Sequence, residues 1–298
     1  MTTSTIAASS IGSATLIIPQ ALRSACQNKP KREAWLAKLA VTVRLLEQRW
    51  SLLLEAPFEN ASAAWVVPAN LADGTAAVLK LAMPHLEGDH EIDALRFWQG
   101  SPTVRLLEAD RGLGALLLER CEPGTGLWKR PKSEQDLVLA GILKRLWRIP
   151  PEPHPFRHLS AMLAGWRDRT LADEARWPDP DLVREGLRLF TELTESASDQ
   201  VLLATDLHAG NVLQAQREPW LVIDPRPYIG DPAYDATQHL LNRTSVGSDP
   251  CGTIRRFAEL AGLDPERVRL WTFARAAAQP RDDWKKGPLM ELARAVAP

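Results

Sequence analysis

Residues 33–50 place Trp35, Leu36, Leu39, Val43, Leu46 and Trp50 at three- and four-residue intervals, a stripe that predicts one amphipathic helix. The period then shortens. Apolar runs at 52–56, 65–68 and 76–81 read as strands, with Asp73-Gly74 between the last two as a hairpin turn. A helix follows over 86–99, carried by Leu86, Ile92, Leu95, Phe97 and Trp98. Runs at 104–107 and 115–118, joined across Asp110-Arg111-Gly112, complete an expected five-stranded antiparallel sheet.

From there the pattern is helical. Ser133-x-x-Asp136 reads as a capping box for a helix to 147; Asp179-Pro180 and Asp264-Pro265 cap and start helices reaching about 196 and 278. Another helix is expected over 158–175, after a proline-rich run at 149–155. The fold class is thus α+β, strands first and helices after. Residues 1–32 are rich in Ser, Thr and Ala, contain one short apolar run at 16–18 and end in Lys-Pro-Lys-Arg, so a flexible lead is expected there. The expected division continues with a β-rich lobe at 33–118, a connector at 119–126 and a helical lobe at 127–298.

One stretch carries chemistry. Two short apolar pieces, Val212-Leu213 and 220–223, flank a turn, with Asp206 and Asn211 before the first and Asp224 after the second. Asp-x-x-x-x-Asn is the interval of a phosphoryl-transfer catalytic loop, in which the Asp accepts a hydroxyl proton and the Asn ligates magnesium. Mg²⁺ takes oxygen ligands and keeps several waters, so Asn211, Asp224 and nucleotide phosphates suffice to hold it. A lone Asp before a turn is most often a turn or cap residue. Three such groups at these intervals point instead to a phosphotransferase site, with Asp206 left to orient and deprotonate the acceptor.

The segment ATDLHAGNVL, followed by IDPRPYIGDPAYD, resembles the catalytic core of the aminoglycoside phosphotransferases within the protein-kinase-like fold. It is more similar still to their aminoglycoside/hydroxyurea antibiotic resistance kinase branch, which includes streptomycin 6-kinases and carries Ile-Asp-Pro-Lys-Pro-Tyr-x-Gly-Asp-Pro-Ala-Tyr-Asp. Ala204 and Thr205 stand where the wider group has His-Gly, which removes a group that braces the loop. The resemblance implies a bilobal protein-kinase-like fold, a small five-stranded sheet lobe plus a larger, mainly helical lobe, using ATP and Mg²⁺. Ala77-Val78-Leu79-Lys80 is similar to the Val-Ala-Ile-Lys strand whose lysine holds phosphates. An edge lysine pointing to water is the alternative, but its apolar neighbours imply a partner. Glu91 is the first candidate, in a His-Glu-x-x-Ala-Leu-Arg pattern, and Glu87 the second.

The resemblance further implies that the backbone of Glu119 and Cys121 holds adenine, although a plain linker fits 119–124 equally. The loop at 59–64 lacks the glycine expected over the phosphates, leaving Ser62 as the candidate contact there. Asp231 before Pro232 has N-cap chemistry, favoured over its second role as an acceptor contact. Asp235 either braces the loop or faces a cationic acceptor, and His208 reads as structural. The implied acceptor is the hydroxyl of streptomycin or a related aminocyclitol, with hydroxyurea as the small alternative. An endogenous sugar or amino alcohol, or a nucleotide-binding module without transfer activity, are the competing readings.

Composition narrows the setting. With 298 residues, 45% of them hydrophobic, the chain can build a large core or two lobes. A net charge of −1 with scattered Lys and Arg argues against a nucleic-acid protein. Acids at Asp173, Glu174, Asp282 and Asp283 are available to a cationic acceptor, yet such acids are usually just solvated. Cys26, Cys121 and Cys251 are odd in number and far apart, which predicts free thiols. No apolar run reaches the length of a membrane span, and a cytoplasmic protein is expected.

Overall fold

A computed structural model of the chain describes residues 16–83, 90–242, 249–282, 284 and 288–298. Its contacts divide the chain into two compact units, Met1–Pro84 with Gly112–Ala115, and His85–Arg111 with Leu116–Pro298.

The first unit opens with two helices, α1 (Gln20–Cys26) and α2 (Pro30–Trp50). Proline at the first position of α2 suits a site that needs no N–H donor, and Ser51 closes the helix in a left-handed conformation. The apolar stripe faces inward through Leu39, Val43 and Leu46, while Trp35, Leu36 and Trp50 are half-buried. The expected flexible lead is corrected over 16–32. Leu22 and Cys26, one turn apart on α1, are fully buried, the Cys26 thiol sits 3.4 Å from Met83 Sδ, and the Trp65 indole N–H donates to the Ile17 carbonyl at 3.0 Å. Two apolar residues one turn apart are enough to dock a short helix that composition alone reads as loose. The rest of that lead, residues 1–15, lies outside the described residues, as do Glu87 and Asp283.

Strands β1 (Leu53–Leu54), β2 (Ala64–Asn70), β3 (Ala76–Ala82), β4 (Leu106–Asp110) and β5 (Ala115–Glu119) form a five-stranded sheet of order β1-β2-β3-β5-β4. Trp65 pairs with Leu81, Val67 with Leu79 and Ala69 with Ala77, all buried, while Lys80 lies opposite Val66. Gly74 makes the β2–β3 turn at φ +86°, a conformation glycine enters without steric cost, and the Thr75 N–H donates to Asp73 Oδ1 at 2.9 Å.

In the second unit, α3 (Glu91–Trp98) begins after His90, inside the span expected as helix over 86–99, of which 86–89 lie outside the described residues. The strand expected from 104 starts two residues later, because the Val104 N–H donates at 3.0 Å to the carbonyl of Val222. Helices α4 (Lys132–Leu146), α5 (Leu159–Ala172) and α6 (Pro180–Glu195) follow. The expected capping box is absent: α4 is preceded by Pro131 without a side-chain cap, and Asp136 instead meets His239 Nε2 at 2.7 Å. A tertiary partner has taken the carboxylate. Asp179 does cap α6, accepting from the Leu182 N–H.

Four short strands, β6 (Val201–Leu203), β7 (Val212–Gln214), β8 (Trp220–Val222) and β9 (Tyr228–Gly230), pair as β6–β9 and β7–β8. Helices α7 (Pro232–Asn242), α8 (Pro250–Ala261), α9 (Pro265–Ala278) and α10 (Pro288–Ala295) complete the unit. Asp264 caps α9, which is buried along most of its length through Trp271, Phe273, Ala274, Ala276, Ala277 and Ala278. Gly186 lets α6 approach it, since a Cβ there would lie 2.9 Å from the Cβ of Ala278. Among the described residues no helix is long and apolar enough to cross a membrane.

Candidate active site

The β7–β8 hairpin sets the metal-ligating candidates. Val212 pairs with Val222 and Gln214 with Trp220, and the pairing runs one step further, the Ile223 N–H donating to the Asn211 carbonyl at 2.9 Å. Asn211 therefore lies opposite the residue that precedes Asp224. Its Nδ2 donates to the Asp206 carbonyl at 3.0 Å, which keeps Oδ1 as the atom suited to a hard cation. Asp224 takes φ +54°, a left-handed conformation that Asp tolerates better than bulky residues do. Among the described residues no cluster of three or more His, Cys, Asp or Glu could hold a metal. One carboxylate and one amide oxygen fit Mg²⁺ shared with phosphates rather than a closed protein cage.

Asp206 sits on the loop between β6 and β7 with its side chain 18% exposed. Its Oδ1 accepts from Gln238 Nε2 at 2.9 Å, and its Oδ2 lies 3.2 Å from Arg226 Nη2. Burial raises its pKa above the ordinary carboxylate value and the Asp224 charge adds to this, while Arg226, His208 and Arg275 pull it down. His208 Nδ1 accepts from the Gly210 N–H at 3.0 Å, shaping the short turn Ala209–Asn211, and burial lowers its pKa. The His208 ring nitrogen that holds the turn is thereby committed to the Gly210 N–H.

The loop is braced without the His-Gly pair. Thr205 takes φ +47°, which explains why glycine suits this position in the wider group; for a β-branched residue it costs on the order of 1–2 kcal/mol. Several bonds offset that cost. Thr205 Oγ1 donates to the Arg226 carbonyl at 2.6 Å, the Arg226 N–H donates to the Ala204 carbonyl at 2.9 Å, and the Ala204 N–H donates to Asp235 Oδ2 at 3.0 Å. Asp235 also accepts from the Trp147 indole at 3.2 Å. Its near-complete burial pushes its pKa up to about 6.

Two candidate acceptor contacts are thereby corrected. Asp235 faces the loop backbone and is 1% exposed, so it braces Ala204 and cannot meet an acceptor. Asp231, 4% exposed, accepts at Oδ1 from the Ala233 N–H at 2.9 Å and at Oδ2 from Arg267 Nε and Trp271 Nε1, both at 2.6 Å. Its lone pairs are committed to capping α7 and holding α9.

The remaining candidates divide between the units. Glu119 ends β5, and its carboxylate accepts from Arg217 Nε and Nη2 at 2.9 Å and from the Arg105 N–H at 3.0 Å. Its own N–H donates to the Arg105 carbonyl at 2.9 Å. Burial and the Glu119 charge push the Cys121 thiol up to about 12, leaving it neutral. Glu91 opens α3 and is 4% exposed. Lys80, 8% exposed on β3, and Ser62, exposed just before β2, belong to the first unit.

A cavity of about 90 Å³ adjoins Asp206, and Trp166, Arg226, Tyr228, Tyr234, Gln238 and Arg275 line it. Sequence reasoning did not single these six out. Gln238 and Arg226 carried a signal, one lying a helical turn after Asp235 and the other two residues after Asp224. Trp166 and Arg275 carried none, being distant in the chain from every motif. A larger surface groove of about 820 Å³ along α5 and α6 contains no site residue.

A family model described as aminoglycoside/hydroxyurea antibiotic resistance kinase matches residues 49–282. The chain belongs to this family. Among its relatives, a hydroxyurea phosphotransferase of Kitasatospora aureofaciens is 38% identical over 234 residues, 76% of this chain and 68% of that protein. A streptomycin 6-kinase of Streptomyces glaucescens is 36% identical over 254 residues, 82% of each. A solved choline kinase, LicA of Streptococcus pneumoniae, aligns over 87% of this kinase and 97% of that chain, with a TM-score of 0.61 and 12% identity. The last shows the shared protein-kinase-like fold. The sequence relatives make this chain a small-molecule phosphotransferase.

Proposed function

We propose that this kinase transfers the γ-phosphoryl group of ATP to a hydroxyl of streptomycin or a related aminocyclitol. The observation that carries the chemistry is the loop and hairpin that bring Asp206, Asn211 and Asp224 together. Asp206 accepts the acceptor's hydroxyl proton as that oxygen attacks the γ-phosphorus; the bond to the β,γ-bridging oxygen breaks and ADP leaves. Asn211 Oδ1 and the Asp224 carboxylate hold Mg²⁺, which when bound neutralises phosphate charge. Lys80 contacts phosphate with Glu91 as its partner, Ser62 lies over the phosphates, and adenine takes the backbone of Glu119 and Cys121. The cytoplasm supplies the nucleotide, and the three cysteines, all free thiols, suit it.

Hydroxyurea is the second reading, and the cavity favours it. About 90 Å³ lined by two arginines, with Asp206 as its one carboxylate, suits a small uncharged acceptor better than a polycation. The test is Mg-ATP consumption over a panel of streptomycin, other aminoglycosides, hydroxyurea and simple polyols, with Asp206→Ala as control. Turnover that the substitution abolishes supports the transferase; nucleotide binding without phosphorylation of any acceptor refutes both acceptor assignments.

A further inference from the structure

Arg275 is 2% exposed on α9 and is fixed on every side. Nη1 donates to Thr237 Oγ1 at 2.8 Å, Nε and Nη2 reach Gln279 Oε1 at 3.3 and 3.2 Å, and the guanidinium lies 4.6 Å from the Tyr234 ring centroid and 5.7 Å from that of Trp166. Nη2 also donates to Gln238 Oε1. Arginine has donors only, so it can meet the glutamine amide only at its oxygen. The amide's NH₂ end is then turned to Asp206 Oδ1, 2.9 Å away.

We propose that Gln238, oriented by Arg275, is the positioning residue that holds Asp206 for proton transfer. This rests on the reading of Asp206 as base. One carboxylate oxygen is tied down by a donor that cannot reverse, and Oδ2, on the Arg226 side, is the oxygen that takes the acceptor's proton. Transfer steps are sensitive to such placement, a shift of about 1 Å costing on the order of a hundredfold. Neither residue touches the phosphates or the metal ligands in this scheme, and because both also line the cavity beside Asp206, contact with the acceptor is the competing role that the kinetics must separate from positioning.

The experiment measures kcat, both KM values and Tm for the full chain and its Gln238→Leu and Gln238→Glu variants, with ATP and with streptomycin and hydroxyurea as acceptors. Gln238→Leu is expected to lower kcat about 10- to 100-fold with both KM values nearly unchanged. Gln238→Glu separates positioning from packing. It keeps the shape and the contact to Arg275 but presents an oxygen to Asp206 in place of the NH₂ donor, so kcat falls at least as far as in the leucine variant. Wild-type kcat in Gln238→Glu overturns the proposal, as does a rise confined to acceptor KM, which makes Gln238 an acceptor contact instead. Arg275→Lys, which retains charge without the fork, should fall between wild type and Gln238→Leu in kcat. Should wild type turn over neither acceptor, or Asp206→Ala stay active, the base reading itself fails; the wild-type and Asp206 controls thus tell the two failures apart.

Discussion

Two pairs of aspartates lie within one stretch of chain and face opposite fates. Asp206 and Asp224, at the loop and hairpin, are partly exposed; Asp231 and Asp235, at the start of α7, are 4% and 1% exposed. The Asp206 carboxylate is met by side-chain donors, Gln238 and Arg226, at the edge of a cavity. Those of the second pair are backbone N–H groups, the buried Trp271 indole and the half-buried Trp147 indole, together with Arg267. A carboxylate buried against backbone and indole donors holds the fold, and one that lines a cavity is within reach of a substrate. Composition alone does not distinguish the four.

The contrast can be broken first at the base. Asp206→Ala should lower kcat by about 10²–10⁴-fold while leaving Tm close to wild type, read by steady-state kinetics and thermal melting. Asp231→Ala should do the reverse. It leaves the buried Trp271 indole and the Ala233 N–H without their acceptor and removes the carboxylate partner of Arg267, and should cost about 1–3 kcal/mol of stability, seen as a lowered denaturation midpoint. Loss of activity in Asp231→Ala without loss of stability would erase the distinction between the two pairs.

Asp235 sharpens it through pH. Its carboxyl holds a proton up to about 6 against an ordinary 3.8, so between those values the folded state binds more protons than the unfolded chain. Its contribution to stability therefore falls as pH rises through that window and is flat above it. Asp235→Asn removes that slope; the stability difference between variant and wild type should shift in favour of the variant by up to about 3 kcal/mol from pH 4 to pH 7. An unchanged difference across that range would show that burial does not control this group. Thr205→Val keeps the left-handed strain and loses the bond to the Arg226 carbonyl, at a cost of about 1–2 kcal/mol and a smaller fall in kcat. The smallest effect belongs to a cap remote from both pairs, Asp264→Ala, at about 1 kcal/mol with kcat unchanged.

Much of this was legible in the chain because the chemistry is local. Asp206 and Asn211 share one loop, Asp224 follows one hairpin later, and the aspartate–proline caps of α6 and α9 need only the next few residues to form. The strands read from apolar runs were found to within a few residues, since β2 and β3 bury alternate positions against a common core. Errors arose where a distant partner decided the outcome. Asp136 was drawn from its capping role by His239, the lead was docked through Leu22 and Cys26, and the three-residue strands β6 and β9, too short to announce themselves, exist because they pair with each other.

The sequence by itself determined the α+β order of elements, the loop and hairpin that carry the candidate site, and the phosphotransferase family. Local patterns suffice for these because period, turn chemistry and motif spacing act over a few residues. Only the tertiary structure decided which acids remain available and what stands beside them. The wall of the cavity comes from Trp166 on α5, Gln238 on α7 and Arg275 on α9, gathered around Asp206 from three separate helices. Burial and partner geometry are properties of the packed chain, and they give otherwise identical carboxylates different work.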